Sequence, residues 1–212
     1  MKIYKFKNYE EYKDIQVKGY NSKVETHSWV DINSVGGLVN YIFNYNPNVS
    51  FGLCHGTRNG IEQRAFIDYF KVVNKEVKVI GTEIAKDASK RFLNTIEWDF
   101  HNVKDEWINN VDFIYSNSFD HSYDPEKCLD AWMSCLNDKG ICIIEWTTDD
   151  DNNSRPMDPF AASLEEYEKL ISSKYEILDI LENNPDENKQ VGQSQQFPFK
   201  GLRYFFIIKN KN

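Results

Sequence analysis

The most constraining feature of this chain is an alternation. Short apolar runs and amphipathic segments take turns over residues 49–172, and the last two apolar runs, 175–181 and 202–208, follow one another with no helical segment between them. The runs at 49–54, 77–84, 95–98, 111–115 and 141–146 read as strands. The last of these, Ile-Cys-Ile-Ile-Glu-Trp, is nearly continuous, as a strand buried on both faces requires. Helical spacing falls at 35–45, at 61–70 (burying Ile61, Ala65, Phe66 and Tyr69), at 86–93, from Pro125 onward with Cys128, Leu129, Trp132 and Leu136 on one face, and at 161–172. The helix from Pro125 is expected to stop at 137–140, with Gly140 as its left-handed cap.

Strands that alternate with helices build a parallel, doubly wound sheet. Two final strands without a crossover helix must pair antiparallel, because parallel neighbours need a long connection. The expected architecture is α/β: a doubly wound, mostly parallel seven-stranded sheet with an antiparallel C-terminal strand. One domain spans 1–212, with residues 1–46 as an N-terminal cap and helix and 47–212 as the core. Residues 1–33 carry no clear periodicity, and 183–201 reads as a polar insertion between the last two strands.

In such sheets ligands bind beyond the carboxyl ends of the strands, where strand order reverses. The loop after the first strand, Gly52-Leu-Cys54-His55-Gly56-Thr57-Arg58-Asn59-Gly60, offers two glycines for a sharp turn and leads into a helix with unpaired N–H groups. The second strand ends at Glu83 and Ile84, placing a carboxylate where it can accept both hydroxyls of a ribose. The third ends in Trp98-Asp99-Phe100-His101, an acid between aromatics that suits a purine and its amine.

On these residues the chain resembles the class I S-adenosylmethionine-dependent methyltransferases, with a Rossmann-like methyltransferase fold implied over residues 47–208. The family's first motif, an acid followed by G-x-G-x-G, aligns here with Gly52 at the acidic position and with Cys54, Gly56 and Arg58 at the glycines. The resemblance implies S-adenosyl-L-methionine as cofactor. Cys54, His55, Gly56, Thr57 and Gly60 would lie along its methionine part, Glu83 and Ile84 at the ribose, Asp99 and Phe100 at the adenine, and Asn117 in the pocket wall. With no acid in the motif, His55 or a backbone carbonyl is left to meet the methionine ammonium.

The segment after the fourth strand, Tyr115 to Pro125, would border the transferring methyl and its acceptor. Methyl transfer depends largely on alignment, and a hydroxyl acceptor also needs a base, for which His121 is the natural candidate, oriented by Asp120. Ser118, Asp124 and Trp146 are the expected acceptor contacts. Acids at Glu145 and 149–151 could attract a divalent cation, but a solvated loop explains them as well, so no metal is expected. His27, Trp29 and the N-terminal aromatics, or Gln195, Gln196 and Phe197, could cover the acceptor.

The net charge of −8, with no basic run, argues against a nucleic-acid partner and for a small polar acceptor such as a sugar. No apolar stretch approaches membrane-spanning length, and Cys54, Cys128, Cys135 and Cys142 have neither zinc nor disulfide spacing; a cytoplasmic setting is expected, with the oligomeric state open. Two other readings remain. A nicotinamide-dependent oxidoreductase lacks its glycine pattern here, whereas a non-catalytic relative that keeps the fold would tolerate the altered motif.

Overall fold

The structure, a computed structural model, describes residues 1–22, 30–147, 153–182 and 202–211. Seven strands form the main sheet: β2 (Phe51–His55), β3 (Lys78–Glu83), β4 (Thr95–Glu97), β5 (Val111–Ser116), β6 (Leu136–Thr147), β8 (Glu176–Glu182) and β9 (Arg203–Lys209). Their order is β4-β3-β2-β5-β6-β9-β8, parallel from β4 to β6, with β9 antiparallel to both β6 and β8. A small second sheet pairs β1 (Lys2–Ile3) with β7 (Phe160–Ala161). The order reverses between β2 and β5, so the ligand crevice opens above those two strands.

Alternating side chains divide the core into two layers. Cys54, Val79, Phe113, Tyr115, Ile143 and Ile207 face α2 (Ile32–Tyr45) and α3 (Ile61–Val72), meeting Val35, Leu38, Ile42, Phe66 and Phe70. Leu53, Ile114, Cys142, Ile144 and Phe206 face the other way, toward α5 (Pro125–Cys135) and α6 (Leu164–Lys174), meeting Trp132, Met133, Tyr167 and Ile171. Three of the helices have a side-chain reason to start where they do. The Asp31 side chain caps α2, Asp124 caps α5 just before Pro125, and Ser163 with Glu166 forms a reciprocal capping box on α6.

Four expectations need correction. The helix from Pro125 ends early, at Cys135, and Leu136 is already extended and opposite Val111. Gly140 is therefore a strand residue without left-handed φ; a Cβ there would stand 2.7 Å from the Val111 carbonyl oxygen. The helix at 86–93 shrinks to one turn, α4 (Ala88–Arg91), because it buries only Ala88 and leaves Leu93 95% exposed. The helix expected from Ala161 begins at Leu164, since Ala161 pairs with Lys2 in the small sheet. The aperiodic N-terminus contains a helix, α1 (Tyr9–Ser22), whose buried residues are Tyr12, Gln16, Gly19 and Tyr20. Its inner face is partly polar because it borders a cavity, which hid it from a search for apolar periodicity.

Candidate active site

A cavity of about 380 Å³ lies at the carboxyl edge of the parallel strands. Its floor is the turn from β2 into α3. Gly56, Arg58 and Gly60 take φ of 73°, 41° and 76°, left-handed values at alternate positions. The turn thus has G-x-G-x-G spacing, but it begins at Gly56 rather than Cys54, and Arg58 stands in the middle. A side chain at φ 41° is strained. Its own N–H compensates by donating to Glu83 Oε2 at 3.1 Å. Gly56 is needed for close approach as well as for φ: a Cβ there would lie 2.6 Å from Ser118 Cβ.

Gly56, Glu83, Ile84, Asp99, Phe100, Asn117, Ser118, Asp120 and His121 all line this cavity. Glu83, at the end of β3, is fixed by the Arg58 N–H and by the Ile84 N–H at 2.8 Å. Burial pushes its carboxyl pKa up, and those two backbone donors oppose the shift. Two bonds leave lone pairs for further donors, since a carboxylate can accept about four. Asp99 Oδ1 accepts from the His101 N–H at 2.9 Å and pairs with His101 Nδ1 at 2.7 Å, while Oδ2 accepts from Tyr9 Oη at 2.9 Å. Burial alone would raise the Asp99 pKa, but the His101 and Tyr9 bonds outweigh it and hold the carboxyl below its usual range.

His121 lies across the cavity on the single turn Phe119–His121. Its Nδ1 meets Gln16 Oε1 at 2.8 Å, and Gln16 Nε2 donates to the carbonyls of Met157 at 3.0 Å and Pro156 at 3.4 Å. Those carbonyls can only accept, so they fix the amide with its oxygen toward the imidazole. Nδ1 must then carry the proton, which leaves the Nε2 lone pair available. Asp158 Oδ1 stands 3.7 Å from Nε2, where it would stabilise an imidazolium. The expected orienter, Asp120, lines the cavity too, but Gln16 holds the ring. Asp120, His121 and Asp158 can bring ligand atoms within 4.8 Å of one another, an arrangement open to a cation. Arg155 already holds Asp158 at 2.5 Å.

Six expected residues do not line the cavity. Cys54 packs into the core beneath α3. His55 stacks on Trp132 and bonds Thr82 Oγ1 through Nδ1 at 2.8 Å; burial lowers its pKa to about 3, so it stays neutral. Thr57 is buried in the turn, and Gly60 caps α3 against Phe92. Asp124 accepts the Lys127 N–H at the start of α5, and Trp146 donates from Nε1 to the Ala162 carbonyl in the core. His27, Trp29, residues 149–151, Gln195, Gln196 and Phe197 lie outside the described residues.

Tyr12 and Tyr20 of α1, among the N-terminal aromatics expected to cover the acceptor, line the cavity, as does Arg58 of the glycine motif; Gln16, Glu62, Asp158 and Arg203 line it without having been expected. Only Glu62 carried a signal, an acid two residues beyond the glycine turn. Glu145 and Arg203 close the cavity from β6 and β9 as a buried pair 2.8 Å apart, and Tyr115 Oη donates to the other Glu145 oxygen at 2.8 Å.

No protein-family model matches the chain, and no curated protein matches it in sequence. Solved structures do. A Burkholderia thailandensis 1,6-didemethyltoxoflavin-N1-methyltransferase, with its substrate and S-adenosylhomocysteine bound, is similar at a TM-score of 0.67 and 11% identity, over 98% of this chain and 93% of that one. The plantazolicin methyltransferase BpumL, in complex with a triazolic desmethyl analogue and S-adenosylhomocysteine, is similar at 0.59 and 14%, over 95% and 98%. The CurJ carbon methyltransferase is similar at 0.61 and 12%, over 84% of this chain and 54% of that one. With identities this low the likeness is one of fold, and it agrees with the strand order and the antiparallel β9. The chain has the Rossmann-like fold of the class I S-adenosylmethionine-dependent methyltransferases.

Proposed function

We propose that the protein is an S-adenosylmethionine-dependent methyltransferase that methylates a small polar acceptor, at a hydroxyl. The observation that carries the reading is the convergence on one cavity of Gly56, Glu83 and Asp99 from one side and His121 from the other. The residues fit the cofactor: Gly56 lets the backbone of the turn pass close to Ser118 at the cavity floor, and Glu83 keeps free acceptor sites nearby. When bound, the cofactor supplies a methyl on a sulfonium, open to attack from the side opposite sulfur.

Glu83 would hold the ribose hydroxyls, Phe100 and Asp99 would receive the adenine, and Ser118 and Asn117 would wall the methyl side. With the cofactor bound, the imidazole of His121 would take the acceptor's proton on Nε2, while Gln16 keeps Nδ1–H in place and Asp158 offsets the new charge. Tyr12, Gln16 and Tyr20 exclude water from that wall. The acidic surface and the small cavity favour a metabolite over nucleic acid. Among the described residues no helix is long and apolar enough to cross a membrane, which accords with a cytoplasmic enzyme.

Calorimetry with S-adenosylmethionine, S-adenosylhomocysteine and NAD tests the reading. Binding of the first two and not of NAD is expected; the reverse pattern would make the protein an oxidoreductase. Glu83→Ala should lose most of the affinity. His121→Ala should bind S-adenosylhomocysteine about as wild type does and slow transfer by roughly a hundredfold or more. Normal turnover by that variant would remove His121 as the base, and binding without turnover on any acceptor would point to the non-catalytic relative.

A further inference from the structure

Glu62, the second residue of α3, lies on the cavity wall, 6% exposed. Among the described residues it is the only carboxylate with a buried oxygen, Oε2, that has no hydrogen-bond partner. The other carboxylates of this wall are engaged. Glu83 accepts two backbone N–H groups, Asp99 is held by His101 and Tyr9, and Glu145 by Arg203 and Tyr115. Asn117 and Arg58 favour the charged form of Glu62, but neither bonds Oε2. Leaving a carboxylate oxygen buried and unbonded costs free energy, so a site that keeps one is built for a donor that arrives with the ligand.

The positions where a motif acid would stand are closed. A Cβ at Gly52 would lie 2.2 Å from the Phe113 ring, and Cys54 is fully buried in the layer beneath α3. His55, neutral and stacked on Trp132, is not in the cavity wall. We infer that Glu62 binds the α-ammonium of the cofactor's amino-acid end, and that the altered glycine turn, with Arg58 at its centre, moves this contact from the strand to the first turn of α3. The inference rests on the methyltransferase reading. An ammonium held between Glu62 Oε2 and the turn is a charge-assisted bond in a dry site, the strongest kind of hydrogen bond available there.

The test compares two ligands that share the nucleoside end. S-adenosylhomocysteine carries the α-ammonium; 5′-methylthioadenosine lacks the whole amino-acid end. Glu62→Gln should weaken S-adenosylhomocysteine by tenfold or more and leave 5′-methylthioadenosine within about twofold, whereas Glu83→Ala should weaken both. Equal loss of both ligands in Glu62→Gln, or loss of neither, overturns the inference while leaving the methyltransferase reading intact. Failure of wild type to bind either ligand sinks the reading itself. A measurement on wild type alone covers the case of a variant that does not fold. The S-adenosylhomocysteine analogue with hydrogen in place of the α-amino group should bind at least tenfold more weakly than the parent, and equal affinity would overturn the inference.

Discussion

At the scale of single residues, the buried charge of Glu62 works against stability. Burial, the largest influence, pushes the Glu62 pKa up to about 7; Arg58 and Asn117 pull it down and Glu145 adds to the rise. Burial raises the pKa values of Cys54 and Tyr115, and the Glu62 charge adds to both rises. For an acid with a raised folded-state pKa the sign is fixed: the folded protein binds the proton more tightly than the unfolded chain. The cost of the buried charge is absent below 4.5, grows through 7, and is fully present above it. A shift of that size corresponds to roughly 3 kcal/mol, at about 1.4 kcal/mol per unit. Glu62→Gln should therefore raise the melting temperature by roughly 6–12 °C at pH 8 and leave it nearly unchanged at pH 4.5. A scan at the two pH values checks this, and a melting temperature equally raised at both would mean that charge was not the cause. Glu62 was legible in the sequence only as an acid near a glycine turn; nothing there says that its oxygen lacks a partner. Gln16 was invisible for a related reason, because a lone polar residue in an aperiodic stretch gains meaning only when His121 is brought to it from 105 residues away.

At the scale of elements, the strands were largely readable and the ends of helices less so. Continuous apolar runs such as Ile141–Ile144 leave little choice, being buried on both faces. The turn from α5 into β6 went wrong because Gly140 looks like a helix cap in sequence, while in space it clears the Val111 carbonyl. That turn is held by Asp112, at the register shift of β5, at the amino-terminal edge of the strands opposite the cavity. Its carboxylate accepts from Asn46 Nδ2 (3.0 Å), from the Ser50 N–H (2.8 Å) and Oγ (3.1 Å), from the Phe51 N–H (2.9 Å) and from Asn137 Nδ2 (2.9 Å). One side chain thus joins the end of α2, the start of β2, β5 and the start of β6. Burial pushes its pKa up, but these donors outweigh that and hold it below the ordinary value, so its stabilisation is lost only as pH falls through the folded-state pKa. Asp112→Ala strands several donors at once and should cost about 3 kcal/mol, lowering the melting temperature by roughly 10 °C. Ligand affinity at a permissive temperature should be unchanged, because no part of this network reaches the cavity; a fall in affinity would mean that the two edges of the sheet are coupled.

At the scale of the whole molecule, the cavity draws on both ends of the described chain. Tyr12 and Gln16 come from α1, Arg203 from the first residue of β9, and the glycine turn from the middle. The sequence reading placed the floor of the site, since strand ends and glycines leave local marks. Of these walls the N-terminal aromatics were expected as a cover, but Gln16 and Arg203 were not, because closing a pocket with distant segments leaves no spacing to read. The same geometry predicts how a ligand acts on the fold. A molecule touching α1, the turn, Glu83 and Arg203 stabilises all of them together, and only in the folded state. S-adenosylhomocysteine at 100 times its dissociation constant should add about 2.7 kcal/mol, since stabilisation follows RT ln(1 + [L]/Kd). For a chain of 212 residues that is a rise in melting temperature of roughly 5–10 °C. Hydrogen exchange should slow in α1 and in the first residues of β9 as well as in the β2–α3 turn. NAD at the same concentration should leave both readouts unchanged. Slowed exchange confined to the turn, with α1 unaffected, would mean that the N-terminal helix is a static wall and that the ligand does not reach Gln16 or the imidazole it holds.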